Sequence, residues 1–455
     1  MTAPARTRGS TSVMAERSPL ARRMLLPAQS MIHSQVVRGA VLFAASFIAL
    51  IWANSPWSAS YLDLRETELS IDFGVVGVSL SFHHWINDGL MTIFFFAVGL
   101  EIKKEILHGE LHGWMKAALP VCAALGGMVL PASLYLAVTF GSDASSGWGI
   151  PMATDIAFAL GLLALLGDRI SPQLRVFLLA LAVVDDIGAI LVIALFYTDS
   201  LSIWALGLAV ALLSSVLLMQ WVGVRGIQYY AFVGAAFWLA LQHAGVHPTI
   251  GGVLLGLVTP ATAWFSYRRF ADSAGELINE FTRQLECCDE NRAEALLGEI
   301  EQLVHETESP LERLERLLQP WVSFLVLPLF ALANAGVALS GSMLQEAAAS
   351  PVTLGVVGGL VIGKFAGIAG FSWLAVRTGM ATFSKGITWP RLIGVAMLGG
   401  IGFTVSLFIA DLAFDDASLL AEAKVGILAA SLMAGVAGYG WLYWATKNEN
   451  RKTQG

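Results

Sequence analysis

The sequence predicts an all-α polytopic membrane protein with about 12 transmembrane helices. Of its 455 residues, 56% are hydrophobic and only 13% are charged, and the mean hydropathy is +0.68. A soluble globular chain carries about 25% charged residues. The apolar residues also form long runs, many of them near the ~20 residues that a helix needs to cross a bilayer. Together these observations exclude a soluble globular fold.

The candidate spans are the apolar runs that approach this length. They lie near 36–54, 85–106, 116–139, 147–167, 174–197, 201–221, 227–243, 246–264, 319–339, 352–377, 390–412 and 422–445. The first, fourth, seventh and eighth of these are short or contain helix breakers. A count of about 11 or 13 spans is therefore also compatible with the pattern.

Basic residues predict the orientation of these spans. If the N-terminus is cytoplasmic, 24 of the 27 Lys and Arg residues fall on the cytoplasmic side, Arg65 and Lys424 are external, and Lys364 lies inside a span. Cytoplasmic loops of membrane proteins carry an excess of basic residues. We therefore predict cytoplasmic termini, with tails at 1–30 and 447–455 and a membrane domain at 31–446.

Two segments between spans have patterns of their own. Residues 67–82 alternate apolar and polar side chains around Gly74 and Gly77, which favours an external β-hairpin over a plain loop. Such an edge could pair with a second subunit. Residues 267–318 form a long, charged cytoplasmic segment whose apolar residues have helical spacing, so we predict one or two amphipathic helices. A regulatory segment and a solvated linker both fit this pattern.

Ionisable residues inside the spans mark the candidate site. They are Asp88, Glu101, Glu105, Asp155, Asp185, Asp186 and Lys364. A charge near the bilayer centre costs at least ~2.5 kcal/mol, so such residues usually serve an ion or proton pathway. The neighbouring aspartates of one span repel each other, which favours the binding of a proton or cation there.

The other ionisable residues have more than one interpretation. Lys364 either forms a fixed salt bridge with one of the acids or gives up its proton when a cation binds. Glu101 and Glu105 share a helix face beside Lys103 and Lys104, as in the rim of an ion funnel or at an ordinary helix end.

Two spans contain residues that interrupt helices. Residues 149–155 (GIPMATD) contain a proline and end in Thr154 and Asp155, whose side chains compete for backbone hydrogen bonds. Residues 399–406 (GGIGFTVS) contain three glycines and two hydroxyls. Interrupted helices that cross at the midplane are typical of secondary transporters, as are inverted repeats. Spans three to five and ten to twelve have the opposite orientations that such a repeat requires.

Other chemistry receives little support from the chain. The three cysteines, Cys122, Cys287 and Cys288, indicate neither a disulfide framework nor a metal site. There is no Walker-type phosphate loop. We predict no enzymatic activity, no cofactor and no nucleic-acid partner.

Six segments resemble the NhaA family of bacterial sodium/proton antiporters. They are 85–88 (WIND), 94–105 (FFFAVGLEIKKE), 153–161 (ATDIAFALG), 184–190 (VDDIGAI), 327–336 (LPLFALANAG) and 400–404 (GIGFT). The resemblance runs in order from about residue 30 to residue 444. It implies an antiporter of the bacterial inner membrane that exports Na⁺ or Li⁺ in exchange for external H⁺. Transport would be electrogenic and regulated by pH.

The resemblance also assigns roles to individual residues. Asp186 matches the main cation ligand and proton carrier, and Asp185 lies beside it. Thr154 and Asp155 match the unwound segment that crosses the eleventh span, and Lys364 matches a buried lysine that faces these acids.

Further matches concern the periphery of the site. Glu101 and Glu105 match residues at the mouth of a cytoplasmic funnel, and Asp88 matches an acidic residue of the second span. His247 and Glu315 match residues that are linked to the pH response of the family. From its residue type alone, His247 is a pH sensor or a helix cap.

The family expectation is a homodimer joined through the 67–82 hairpin. Two features of the chain depart from the family pattern, and both concern pH regulation. Glu312 stands where the family can carry a basic residue, and the loop before Glu315 is longer than expected, with extra charged residues in about 275–308. The pH profile therefore does not follow from the resemblance. A sodium-coupled solute symporter is the main alternative, ahead of a passive cation channel and a membrane scaffold.

Overall fold

A computed structural model describes residues 34–72, 77–198, 201–224, 226–263, 265–286, 290–383 and 386–454. The predicted tail 1–30 and the pair Cys287 and Cys288 lie outside the described residues. The described chain is mostly helical and contains one two-stranded sheet. It divides into two compact units, of which the first comprises Met1–Arg65, Ala118–Asp185 and Ser323–Gly455 and the second Glu66–Ala117 and Asp186–Val322.

The elements of the first half of the chain follow in sequence order. They are α1 (Gln35–Ala53), α2 (Ser58–Glu66), β1 (Glu68–Asp72), β2 (Gly77–Ser81), α3 (Phe82–His84), a π-helix (Trp85–Leu90), α4 (Met91–His108), α5 (Trp114–Thr139), a 3₁₀ helix (Asp143–Met152), α6 (Ile156–Leu165), a 3₁₀ turn (Gly167–Arg169), α7 (Pro172–Phe196), α8 (Ile203–Val222) and α9 (Ile227–Ala244).

The remaining elements are again mainly α-helices. They are α10 (Pro248–Val258), α11 (Tyr267–Glu286), α12 (Glu290–Thr307), α13 (Pro310–Trp321), a π-helix (Val322–Val326), α14 (Leu327–Asn334), α15 (Gly341–Ala349), α16 (Pro351–Val357), a π-helix (Gly358–Gly363), α17 (Lys364–Arg377), α18 (Trp389–Leu398), α19 (Phe403–Ala413) and α20 (Ala417–Gln454).

Within the described residues, seven helices are long and apolar enough to cross a membrane, or up to nine if each of two bent pairs forms one span. The predicted spans near 85–106, 227–243 and 246–264 correspond to α4, α9 and α10. Helix α4 carries four charged residues near its C-terminal end, and α10 has only 11 residues. The polytopic helical fold is confirmed, whereas the count of 12 spans and the inverted repeat stay predictions.

Both predicted helix interruptions occur in the first unit. The 3₁₀ helix Asp143–Met152 and α6 are bent by 42° at their break, and α18 and α19 are bent by 42° at theirs. Ala153 and Asp155 adopt extended backbone conformations between the first two helices. The Asp155 amide donates to the Ile401 carbonyl over 2.6 Å. The two breaks therefore contact one another directly.

The second unit contains the β-hairpin and a close pair of helices. Strands β1 and β2 pair antiparallel, with Glu68 opposite Ser81, so the predicted hairpin is confirmed. The Trp85 indole donates to the Leu69 carbonyl over 3.0 Å and joins the hairpin to the following helix. Helices α4 and α10 meet at glycines: a Cβ built on Gly99 would lie 3.2 Å from the Cα of Gly256. Small residues allow such close approach.

The predicted helical content of 267–318 is also present. Helices α11 and α12 pack against each other and bury Ala274, Leu296 and Leu303, and α13 follows. The Phe265 amide donates to the Glu306 carbonyl over 3.1 Å, so the chain enters and leaves this pair at one point. We call α11 and α12 with their connection the helical hairpin.

Candidate functional site

The first unit contains a buried ion pair. Asp185 on α7 is 1% exposed, and Lys364, the first residue of α17, is 0% exposed. The Lys364 ammonium donates to Oδ2 of Asp185 and, over 2.5 Å, to the Thr154 hydroxyl. A buried charge that loses its partner destabilises a protein by about 3–5 kcal/mol. Of the acids that the sequence offered, the structure places Asp185 against the lysine.

Thr154 connects this ion pair to the second interruption. Its Oγ1 lies 2.6 Å from Oδ2 of Asp185 and 3.0 Å from the carbonyl oxygen of Gly399. A hydroxyl has one proton to donate, so Thr154 can donate to only one of these two acceptors at a time. Gly399 is the C-cap of α18. A change in the charge at Asp185 can therefore reach the broken helix through one hydroxyl.

Asp155 occupies the N-termini of two helices at once. Its Oδ1 accepts from the Phe158 amide over 2.9 Å, which makes it the N-cap of α6. Its Oδ2 accepts from the Thr404 amide over 3.0 Å and from the Thr404 hydroxyl over 2.7 Å, in the first turn of α19. Each helix N-terminus carries roughly half a positive charge. The single carboxylate thus lies against two positive helix ends.

The second oxygen of Asp185 differs from the first. Within the described part of the chain, Oδ1 is buried and makes no hydrogen bond. Asp186, the next residue of α7, is 3% exposed. Adjacent buried carboxylates with a lone acceptor oxygen are suited to bind a cation or a proton. No group of three or more His, Cys, Asp or Glu residues that could hold a metal ion occurs among the described residues.

The predicted funnel residues lie in a second, half-buried cluster in the second unit. The Lys104 ammonium lies 2.8 Å and 2.9 Å from the two carboxylate oxygens of Glu315. Glu101 interacts electrostatically with Glu315, Glu105 and Lys104. Oε2 of Glu105 accepts from the Glu110 amide over 3.0 Å. The structure thus brings the predicted pH-response residue Glu315 together with Lys104 and the funnel glutamate Glu101.

The Lys103 ammonium caps a neighbouring helix in the same unit. It donates to the carbonyl of Thr259 over 2.5 Å, at the C-terminal end of α10. A cation at a helix C-terminus stabilises the helix dipole.

His247 and Asp88 form a third polar contact, again in the second unit. His247 Nε2 lies 3.6 Å from Oδ1 of Asp88, and His247 Nδ1 lies 2.7 Å from the hydroxyl oxygen of Thr249. His247 occupies the N-cap position of α10, although its side chain does not cap the helix. The ring instead faces the acidic residue of the second predicted span. The pH-sensing role of His247 stays a prediction.

Thr404 and the Gly399 carbonyl were not among the predicted site residues. Thr404 donates to Asp155 through both its amide and its hydroxyl. The available signal was the pair of hydroxyls, Thr404 and Ser406, directly after the glycines of the second interruption. Ser406 donates to the carbonyl of Ile150 over 2.8 Å. Polar residues that follow a glycine-rich break therefore hold the two interrupted helices together.

Comparison with known proteins identifies relatives along almost the whole chain. The family described as Na⁺/H⁺ antiporter 1 matches residues 29–442. A Na⁺/H⁺ antiporter NhaA of Syntrophobacter fumaroxidans is 46% identical over 429 residues, which cover 93% of this chain and 91% of the relative. One from Rhodopirellula baltica is 46% identical over 430 residues, covering 94% and 96%. A Na⁺/H⁺ antiporter NhaA 2 of Sorangium cellulosum is 47% identical over 416 residues, covering 91% and 89%.

Proposed function

The chain belongs to the Na⁺/H⁺ antiporter 1 family, and we propose that it exchanges Na⁺ for H⁺ across the membrane. The observation that carries this proposal is the match over residues 29–442 together with relatives that are named Na⁺/H⁺ antiporters. The helical fold and the buried carboxylates are what such a transporter requires. A solute symporter is not favoured, because the relatives bear the name of antiporters.

Competition between Na⁺ and H⁺ for Asp185 and Asp186 would couple the two fluxes. With both carboxylates ionised and Lys364 protonated, these three side chains carry one net negative charge. Either one Na⁺ or one H⁺ neutralises that charge, so the binding of one ion disfavours the other. Asp186 is the main cation ligand and proton carrier in this proposal. The lone Oδ1 of Asp185 supports a cation position beside it.

Lys364 offers a second proton for each Na⁺. A cation that approaches Asp185 competes with the Lys364 ammonium for the same carboxylate. A buried lysine that loses its acidic partner readily releases its proton. Exchange of more than one H⁺ per Na⁺ is electrogenic, and each net charge is worth ~2.3 kcal/mol per 100 mV. An inside-negative potential then drives Na⁺ out of the cell.

The contacting helix interruptions support alternating access by the broken helices. In this proposal they cross at the midplane of a 12-span inverted repeat, in the inner membrane, with both termini cytoplasmic. Asp155 balances two helix N-termini, while the Thr154 hydroxyl lies at the C-terminal end of α18 and accepts a hydrogen bond from Lys364. Because every helix end in this contact has an oppositely charged or polar partner, the contact can rearrange without exposing a bare helix end to lipid.

The peripheral clusters serve ion entry and pH response in this proposal. Glu101 and Glu105 concentrate cations at a cytoplasmic funnel. The ion pair of Lys104 with Glu315 supports a regulatory link to that funnel. The contact of His247 with Asp88 supports a second titrating element, since histidine changes charge near neutral pH.

Other predictions also remain proposals. We propose that Li⁺ replaces Na⁺ as a substrate, and that no cofactor or enzymatic step takes part. We further propose a homodimer that pairs through the β1–β2 hairpin, which the exposed edge of a two-stranded sheet supports.

Proton movement in everted membrane vesicles tests the exchange. A pH gradient is established, and NaCl, LiCl, KCl or choline chloride is then added at pH values from about 6.5, the ordinary pKa of histidine, up to about 8.5. We expect Na⁺ and Li⁺ to collapse the gradient in wild-type vesicles and not in Asp186→Asn vesicles that contain equal amounts of protein. If no cation releases protons from inserted wild-type protein at any pH, the proposal is wrong.

A further inference from the structure

One carboxylate oxygen of Asp185, Oδ1, lies beside helix α5. Oδ2 of Asp185 receives the Lys364 ammonium and the Thr154 hydroxyl, whereas Oδ1 makes no hydrogen bond within the described residues. A Cβ built on Gly127 of α5 would lie 3.9 Å from this Oδ1. Gly127 thus lies beside a buried acceptor oxygen that makes no hydrogen bond within the described residues.

Ile368 bounds the same space from α17. It is 0% exposed and lies one helical turn after Lys364, on the same face. A Cβ on Gly127 would come within 2.9 Å of its Cγ1, and a Cβ on Gly399 within 2.6 Å of its Cδ1. A side chain at position 127 would therefore be caught between Ile368 and Asp185. A methyl group at position 127 would force Ile368 to shift and would lie in contact with Oδ1.

The distance between α5 and α17 is fixed by a second glycine contact. A Cβ on Gly126 would come within 2.7 Å of the Cβ of Phe371 and would also overlap the Gly367 carbonyl. The two backbones are therefore already in contact at Gly126 and Gly367. Because α5 and α17 are already in backbone contact here, the two helices cannot move closer together to fit a smaller cation beside Oδ1.

We propose that Gly127 is a specificity-determining residue, which sets the size of the cation that binds at Oδ1 of Asp185. The inference rests on the proposed Na⁺/H⁺ exchange and deepens it by naming what discriminates between Na⁺ and the smaller Li⁺. Cavity size and ligand arrangement both contribute to ion selectivity. A methyl group at position 127 reduces the volume and excludes Na⁺ more strongly than Li⁺.

The test is exchange in proteoliposomes, with apparent KM values for Na⁺ and Li⁺ measured on the same preparation. We expect Gly127→Ala to raise the KM for Na⁺ about tenfold and that for Li⁺ less, as is typical of one methyl group in a tight pocket. The KM ratio of Na⁺ to Li⁺ therefore rises. The matched control is Gly370→Ala on α17, whose added Cβ would meet nothing within 4 Å. It should leave both KM values unchanged.

A second pair of variants separates selectivity from misfolding. Ile368→Ala removes the Cγ1 and Cδ1 atoms that a Cβ at position 127 would approach, so Gly127→Ala/Ile368→Ala has room to fold. The change in the KM ratio between Ile368→Ala and the double variant isolates the effect of the methyl group on the cation. A change that reflected only poor packing would alter both KM values in the same proportion.

The outcomes distinguish this inference from the proposed function. If wild-type protein exchanges cations but the KM ratio changes less than about twofold in both comparisons, Gly127 does not select the cation. If the double variant does not fold, the assigned space is wrong. If wild-type proteoliposomes show no cation-dependent proton movement, the proposed function itself fails.

Discussion

Asp155 accepts hydrogen bonds at the N-termini of both α6 and α19, an arrangement that we call the double cap. Its contribution to stability can be tested by removing the charge. Asp155→Asn keeps the size of the side chain but replaces one acceptor oxygen with an NH₂ group. The carboxylate accepts hydrogen bonds from the Phe158 amide and from the amide and hydroxyl of Thr404. At least one of these donors then faces another donor. The substitution also removes the negative charge from the N-termini of α6 and α19.

The magnitude follows from these contacts. A charge at a partly buried helix N-terminus contributes up to ~2 kcal/mol, and Asp155 serves two helices. A buried donor that loses its acceptor costs about 1–3 kcal/mol. Removal of the buried charge also relieves its desolvation, which offsets part of the loss. We therefore expect the free energy of unfolding to fall by about 3 kcal/mol.

Reversible unfolding by SDS titration, followed by far-ultraviolet circular dichroism, measures this change. The matched control is Asp143→Asn, because Asp143 is exposed at the start of the adjoining 3₁₀ helix. That change should cost less than about 0.5 kcal/mol. A double-mutant cycle that combines Asp155→Asn with Thr404→Val should give a coupling free energy of about 1–3 kcal/mol between the two side chains. Equal unfolding free energies for Asp155→Asn and Asp143→Asn would refute the double cap.

Three other predictions concern the periphery. The Lys104–Glu315 ion pair is partly exposed, so Lys104→Gln and Glu315→Gln should each change the free energy of unfolding by less than about 1 kcal/mol. Both substitutions should nevertheless shift the pH of half-maximal exchange. An unchanged pH profile in exchange assays would show that the pair has no regulatory part. His247→Gln should also shift that profile, because it removes a titrating group beside an acidic residue; the same vesicle assay detects a shift or its absence. Replacing 267–305 by a short Gly/Ser linker should leave folded, exchanging protein, since the base of the helical hairpin is already closed; loss of folded protein in size-exclusion chromatography would contradict this.

The helix interruptions could be predicted because their causes are local. Pro151 and Asp155 disfavour a continuous helix within a few residues, as do the glycines at 399, 400 and 402. The partner of each interruption could not be derived in the same way. Thr404 reaches Asp155 across a sequence separation of 249 residues. Such contacts depend on how helices rotate and pack, which the spacing of residues in one helix does not determine.

For the buried charges, too, the sequence identified the residues but not the partners that they contact. The sequence identified Lys364 and the acids that it could neutralise, because isolated charges are costly inside a membrane. It did not identify Asp185 as the partner, since neighbouring residues on one helix point in different directions. The pairing of Lys104 with Glu315 was hidden for a similar reason, because α4 and α13 are far apart in the chain. The pair Gly126 and Gly127 was likewise visible in the sequence without being linked to the site.

The most direct test of the central claim is proton release when Na⁺ binds to the purified protein. Wild-type protein in weakly buffered detergent solution receives NaCl, with choline chloride as the control, and the pH is recorded. We predict that Na⁺ releases protons, that the release saturates with Na⁺, and that Asp186→Asn releases fewer, because cation and proton compete for the same carboxylates. If Na⁺ binds to wild-type protein, as measured by calorimetry, without releasing protons, competition at this site is not the basis of exchange.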